Sequence, residues 1–409
     1  MTGSEHDHGN CHGKCEMDRR TLLAGVAGLA AAPVLGGATL AAAEASDRPL
    51  GSVPFTARAY GARSATSGLA PITIERRAVG PRDVLIEILY AGICHSDIHH
   101  VREEWRKETY PLVPGHEIVG RIAAIGSEVT KFKVGDIGGV GCMVASCRVC
   151  ENCIVDREQN CLNGVTLTYA SSDKVSGGQT YGGYSERVVV DQHFVIRMPP
   201  GADLAAMTPL LCAGITTFSP LQHWKVEPGQ RVGVVGLGGL GHVAVKLAVA
   251  RRAQVTVFTT TPAKVADAQR LGAREAVLWS DAEAMRRVAN QFDFIIATVP
   301  QAFNAKPFLD ALKLDGTLVN VGALAPLEGV DSIAQIMGRK SLAGSQIGGI
   351  AETQEVIDFC AARNITADIE MIGVEDINRA YDRVVAKDVR YRFVIDMATL
   401  NGGKPARRG

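Results

Sequence analysis

The chain is 409 residues long, with 46% hydrophobic and 21% charged residues and a formal net charge of zero. That length holds two ordinary domains with sizeable cores, and the composition is that of a globular protein, not a disordered one. Balanced charge without a long acidic or basic block argues against a bulk electrostatic partner such as nucleic acid.

Residues 1–45 read as a targeting segment. Arg19 and Arg20 precede Thr21-Leu22-Leu23, and the next charged residue is Glu44. The stretch between is rich in alanine and glycine, is interrupted by Pro33 and ends in Ala41-Ala42-Ala43. A charged start, a weakly apolar middle and a small-residue exit describe an export signal, and the paired arginines make it resemble a twin-arginine signal. The uncharged run is long enough for a membrane span, the rival reading, but Pro33 and the Ala/Gly content make a poor lipid-facing helix. The expectation is a cleaved signal, a periplasmic destination and no stable span afterwards, with a cytoplasmic location as the alternative. His6, His8, Cys11, His12 and Cys15 lie ahead of this signal and are given no role, and Met17 is a second candidate start.

From about residue 55 to 200 the chain reads as β-rich. The runs Val84–Tyr90 and Ile118–Ile122 are strand-like, with glycine and proline punctuating between them. Within this part stands the densest motif of the chain, Cys147, Cys150, Cys153 and Cys161 at C-x2-C-x2-C-x7-C. Four soft sulfurs converging tetrahedrally suit a closed zinc site, which holds a lobe (about 142–165) together and leaves no position for substrate. A disulfide pair, which needs an oxidising compartment, and four unrelated core thiols are the competing readings. The tight spacing in a polar stretch favours zinc.

Near residue 204 the rhythm changes to alternating strands and helices. Strands are expected at 231–235, 254–259, 293–297 and 317–321, with helices at 240–251, 262–271 and 307–314. Such alternation means a parallel sheet covered on both faces. Gly236-Leu-Gly238-Gly239-Leu240-Gly241 matches G-x-G-x-x-G between a strand and a helix, the context in which that motif signals dinucleotide binding. The glycines permit a tight turn and close approach to a pyrophosphate, whose charge meets the helix N-terminus. At the end of the second strand, where an NAD site usually offers an acid, the chain has Thr259, Thr260 and Lys264. Hydroxyls and a cation suit a 2′-phosphate, so NADP is favoured, with NAD possible.

Cys94-His95-Ser96-Asp97, Gly115-His116-Glu117 and Leu211-Cys212-Ala213-Gly214 are far apart and individually weak. Together with the four cysteines and the glycine loop they resemble the zinc-dependent medium-chain alcohol dehydrogenases. The likeness is to the cinnamyl-alcohol-dehydrogenase-like branch and its broad-range bacterial aldehyde reductases, from about residue 55 to 397. Val140–Val144, Thr180–Ser185, Leu210–Thr217 and Tyr391–Ile395 carry it further. The resemblance implies an α/β fold, a GroES-like β-rich catalytic domain followed by a Rossmann cofactor domain with a doubly wound parallel sheet. The expected division is 1–45 signal, 46–203 catalytic, 204–345 NADP-binding, 346–398 returning to the catalytic domain and 399–409 tail.

The resemblance also implies two zinc ions. Cys94, His116 and Cys212 match the ligands of a catalytic zinc, with Glu117 as alternate ligand, while Cys147, Cys150, Cys153 and Cys161 match a structural one. Ser96 and His99 match the hydroxyl and imidazole of a proton relay. Thr216 joins the glycine loop, Thr259, Thr260 and Lys264 as cofactor contacts. The implied activity is reversible hydride transfer between NADP(H) and a primary alcohol or aldehyde, by a homodimer acting on a small-molecule substrate. An NAD-preferring polyol or formaldehyde-type zinc dehydrogenase, or a non-enzymatic exported binder of zinc and nucleotide, are the alternatives. The intact relay residues speak against the binder, and the lack of an H-E-x-x-H motif against a zinc hydrolase. His95 and His100 are read as structural or exposed, Cys142 and Cys360 as core thiols, and Trp105 as either packing or pocket lining. The export signal is the departure from the family, since a soluble cofactor pool is not expected outside the cytoplasm.

Overall fold

The computed structural model describes residues 49–322, 324–330 and 332–403, so the expected export signal lies outside the described residues. Two large sheets organise the chain. In the first, the order runs Ile369–Ile372, Arg392–Asp396, Asp83–Gly92, Ile118–Ile125, Ile137–Val140 and Ile196–Arg197, with Arg187–Asp191 also paired to Asp83–Gly92. Its pairings are antiparallel except for that between Ile369–Ile372 and Arg392–Asp396. Val84, Leu85 and Ile86 are fully buried, as expected of a central strand with neighbours on both sides. The two C-terminal strands enter this sheet, so the end of the chain rejoins its beginning.

In the second sheet all pairings are parallel, in the order Glu275–Leu278, Gln254–Thr259, Arg231–Val235, Phe292–Ala297, Leu312–Asn320 and Ser341–Gly344. This is the doubly wound dinucleotide-binding order. Its switch point lies between Arg231–Val235 and Phe292–Ala297, where a crevice opens beyond the strand ends. The glycine motif sits there, and the helix that follows runs Gly239–Ala250. One continuous core joins the first sheet to one face of the second, and Phe258, Phe292 and Phe308 anchor another on the opposite face.

Two expected helices are shorter than their patterns. Thr261 and Pro262 form a turn, and the helix begins at Lys264, ending at Arg270. The other runs Lys306–Ala311, because Leu312 leaves it to pair with Phe292 and begin the next strand. Burial of Leu312 beside the aromatic core outweighs the helical preference of the Ala-Leu-Lys-Leu segment. Among the described residues no single helix is long and apolar enough to cross a membrane. One bent pair, Leu204–Leu211 with Ala213–His223, passes by length and composition, and most of its side chains are buried in the core.

Candidate active site and metal centres

A cleft of about 630 Å³ is lined by Cys94, Ser96, His99, His116 and Cys212 from the first part of the chain and by Leu240, Asn320 and Val321 from the second sheet's side. Cys94 caps the helix His95–Val101, and the same turn aims Ser96 and His99 into the cleft. His116 follows Gly115, whose φ of +104° and closeness to Tyr184 (2.6 Å from an added Cβ to the ring) exclude a side chain. Cys212 enters at the start of the helix Ala213–His223.

These three residues and Glu117 bring one donor atom each to within 4.8 Å of one another, all buried. The Cys94 and Cys212 sulfurs are 3.9 Å apart, and His116 Nε2 lies 3.2 Å from Cys212 Sγ. Two sulfurs on one tetrahedral zinc stand about 3.8 Å apart, given Zn–S bonds of about 2.3 Å. Glu117 Oε2 is buried without a partner, and its other oxygen is held by Arg392. The donor set and the spare oxygen therefore fit a zinc ion with two thiolates, an imidazole and an exchangeable carboxylate. In the lobe, Cys147, Cys150, Cys153 and Cys161 meet the same criterion, with 3.9 Å between the Cys147 and Cys153 sulfurs. That is nearly twice a disulfide length, and the described cysteines are all free thiols. Backbone N–H groups of Cys147, Cys150 and Leu162 donate to Cys161, Cys147 and Cys150 sulfurs at 3.3–3.4 Å, which suits thiolates. Such bonds, led by that from Val149, lower the Cys147 thiol to about 6, while burial pushes Cys153 up to about 11.

A second layer orients the buried set. Asp97, fully buried, accepts from the N–H groups of Cys94 (2.8 Å) and Gly115 (3.1 Å) and from the Tyr184 hydroxyl (3.1 Å). Its Oδ1 also lies 3.2 Å from His116 Nδ1. A carboxylate on Nδ1 holds the proton there and leaves Nε2 as the donor to a metal. Burial opposes charge on His116, yet Asp97 raises its pKa well above the ordinary value. Burial likewise pushes Glu117 up to about 7, against the pull of Arg392. A hydrogen bond from Cys212 lowers the Cys94 thiol, while one with Cys142 raises Cys212.

Ser96 and His99, expected as a relay pair, both line the cleft. Ser96 Oγ lies 3.6 Å from Cys94 Sγ, and His99 pairs through Nδ1 with Glu104 while its buried Nε2 has no partner. At the glycine motif Gly236 takes φ +92°, and a Cβ on Gly241 would stand 2.1 Å from Gly236 O. Gly238 caps and Gly239 opens the following helix, whose N-terminus faces the crevice. Thr216 and Leu240 line the cleft. Thr259 differs from expectation. It is buried, and its hydroxyl accepts from Thr261 N–H at 3.1 Å, because the strand must turn before Pro262. Thr260 is exposed, and half-buried Lys264 donates to Leu237 O at 2.7 Å.

His95, His100 and Cys142 also depart from expectation, whereas Trp105 and Cys360 fall within it. His95 and His100 line the cleft, and Trp105 stacks on His99 with 4.5 Å between ring centres. Cys142 is no core thiol but is half-buried on the cleft beside Cys212, whereas Cys360 is fully buried. Asp97, Glu104 and Arg392 are functional residues that sequence reasoning misses. For Asp97 a signal exists, since an acid three residues after Cys94 is the spacing of a capping residue.

A sheet of GroES-like order, a dinucleotide crevice and a buried set of two cysteines, a histidine and a glutamate between them define a metal-assisted oxidoreductase. Residues 80–200 match the alcohol dehydrogenase GroES-like domain family and residues 239–362 the zinc-binding dehydrogenase family. NADP-dependent alcohol dehydrogenase C 1 of Mycolicibacterium smegmatis is 52% identical over 347 residues, covering 84% of this chain and 99% of the relative. Aldehyde reductase YahK of Escherichia coli is 52% identical over 345 residues, covering 84% and 99%. A cinnamyl alcohol dehydrogenase from Helicobacter pylori, solved with NADP(H), superposes with a TM-score of 0.79 at 42% identity, covering 85% of this chain and 99% of that one. The chain belongs to the zinc-type medium-chain alcohol dehydrogenase family.

Proposed function

We propose that this enzyme interconverts primary alcohols and aldehydes with NADP(H), using Cys94, His116 and Cys212 to hold a catalytic zinc and Glu117 as an exchangeable fourth donor. The observation that carries the reading is the convergence of those buried donors on the cleft that also receives the glycine loop. Bound there, zinc supplies a Lewis acid for the substrate oxygen, and the nicotinamide supplies or accepts the hydride. Every other part is the chain's own. Asp97 fixes the His116 tautomer, and Trp105, Leu167 and Tyr169 give the cleft an apolar wall. Ser96 Oγ holds the proton exchanged with the substrate oxygen, and His99 Nε2 is the receiving atom toward solvent. Glu104 holds the opposite ring nitrogen of His99 and sets that direction. Ser96 and His99 share the cleft, so both ends of the proton path belong to this chain.

Thr260 and Lys264 would meet a 2′-phosphate, a reading supported by Lys264 reaching Leu237 O of the glycine loop and by the lack of an acid at the tip of that strand. Cys147, Cys150, Cys153 and Cys161 hold a second, structural zinc. The purified chain is expected to oxidise NADPH in the presence of an aldehyde, to prefer NADPH over NADH, and to carry two zincs. Absence of turnover with every aldehyde and alcohol tried would favour the non-enzymatic binder. A homodimer is supported by exposed Ile336 and Met337 on the helix Ser332–Gly338, beside the edge strand Ser341–Gly344. Ile336→Glu should then shift sedimentation from dimer to monomer. For the twin-arginine signal, fusing residues 1–45 to a folded reporter should deliver it to the periplasm, and changing Arg19 and Arg20 to lysine should abolish delivery.

A further inference from the structure

The return segment at the end of the chain lies along the whole cofactor crevice. Arg392 packs against the glycine loop, where a Cβ on Gly239 would stand 2.8 Å from its Cδ. Tyr391 stacks on His242 of the glycine-loop helix, with ring centres 4.8 Å apart. Arg390 reaches the helix Lys264–Arg270, where its Nε donates to Asp267 at 2.7 Å. Three consecutive side chains therefore track the crevice from the buried Glu117, held by Arg392, to the place where Lys264 stands.

At that far end the charges are uneven. Burial lowers the Lys264 pKa and the nearby Arg390 lowers it further, while Asp267, paired with Arg390, opposes both. Of the other carboxylates, Glu370 accepts from Arg390 N–H at 3.3 Å and is paired with Arg383, which also holds Asp388. Arg270 also leans toward Asp267 at 3.9 Å but spends its stronger contact, 2.9 Å, on Asp368. An acid one turn along this helix would repel a doubly charged phosphate unless a cation covered it, and Arg390 covers it. Its guanidinium remains nearly half exposed, with donors free of that bond.

We propose that Arg390, on the return segment, is a specificity-determining residue that forms a second wall of the 2′-phosphate site opposite Thr260 and Lys264. The proposal rests on the NADP reading above. A guanidinium presents planar paired donors to phosphate oxygens. NAD, with a bare 2′-hydroxyl, gains nothing from it. The wall is also a device of domain order, because the segment that carries it rejoins the catalytic sheet through Arg392–Asp396.

The test is equilibrium titration of the full-length protein with NADPH and with NADH, by cofactor fluorescence, for the wild type, Arg390→Gln and Asp267→Asn. Arg390→Gln is expected to weaken NADPH by about tenfold and leave NADH within about twofold, the loss of one charge-assisted phosphate contact. Asp267→Asn should tighten NADPH, since a repelling charge is gone. Unchanged NADH binding certifies that each variant is folded. An NADPH-to-NADH ratio unmoved by Arg390→Gln, or an equal loss for both cofactors, would overturn the proposal while leaving the NADP reading intact. A wild type that prefers NADH would overturn both.

Discussion

The two sulfur-rich centres of this protein are built in opposite ways. The lobe draws its four cysteines from fifteen consecutive residues, Cys147–Cys161, with Cys147 and Cys150 half-buried and their sulfurs served by the N–H groups of Cys150 and Leu162. The cleft draws Cys94 and Cys212 from positions 118 apart and buries every donor. A local loop needs only spacing and a metal to close. A buried centre needs a scaffold to bring its donors together and further charges to keep them tolerable. Asp97 and Arg392 are those charges in the cleft, whereas in the lobe the cysteine sulfurs accept from backbone N–H groups. The difference separates a metal that staples from a metal that reacts.

That contrast can be broken from either side. The largest effect should come from Cys153→Ser in the lobe. Structural zinc is folding free energy, so this variant should lose one zinc and melt roughly 10 °C or more below the wild type in scanning calorimetry. The molecules still folded should retain their cofactor affinity. An unchanged melting temperature would mean that the lobe is held by something other than metal.

Next is Glu117→Gln in the cleft. It leaves the Arg392 guanidinium, only 4% exposed, without its compensating charge. Urea unfolding should show a loss of about 3 kcal/mol, as for other buried pairs broken on one side. Asp97→Asn should do less to the fold and more to the metal, weakening zinc retention against a chelator by about 10- to 100-fold. Loss restricted to the cleft zinc, with the lobe zinc kept, is the expected pattern. Equal release of both would contradict the separation of the two centres.

The smallest effect is graded by pH. Burial holds His242 neutral, with its pKa lowered from 6.5 to about 3. The unfolded chain takes up that proton below about 6.5 and the folded chain refuses it, so stability is lost as pH falls from 6.5 toward 3. This one group gives a slope of about 1.4 kcal/mol per pH unit once the unfolded imidazole is charged. Denaturation series between about pH 5 and 7, on either side of the free imidazole's pKa, should show a shallower slope in His242→Gln than in the wild type.

The same contrast explains what the sequence makes legible. The lobe and the glycine loop are legible because their chemistry is local, with ligands and turns at short fixed spacing. The catalytic donors are legible through family resemblance, since nothing in Cys94, His116 or Cys212 taken singly marks a ligand. Arg392 is not legible, because its partner Glu117 is 275 residues away. Cys142 reads as an ordinary core thiol, and only the close approach of Gly141 to the Leu211 backbone places it beside Cys212. Thr259 departs from expectation for a local reason, as a hydroxyl before Thr-Thr-Pro is drawn into the turn. Helix ends shift where a buried leucine at 312 prefers the sheet.

The most direct measurement is the zinc content and aldehyde-dependent NADPH oxidation of Cys212→Ser beside the wild type, both as the full chain. Two zincs per chain are expected in the wild type. Cys212→Ser is expected to retain one, with a melting temperature near that of the wild type and turnover lower by at least about 10³-fold, the scale of losing a Lewis acid's stabilisation of several kcal/mol. A Cys212→Ser protein that keeps both zincs and turns over aldehyde at the wild-type rate would place the chemistry elsewhere.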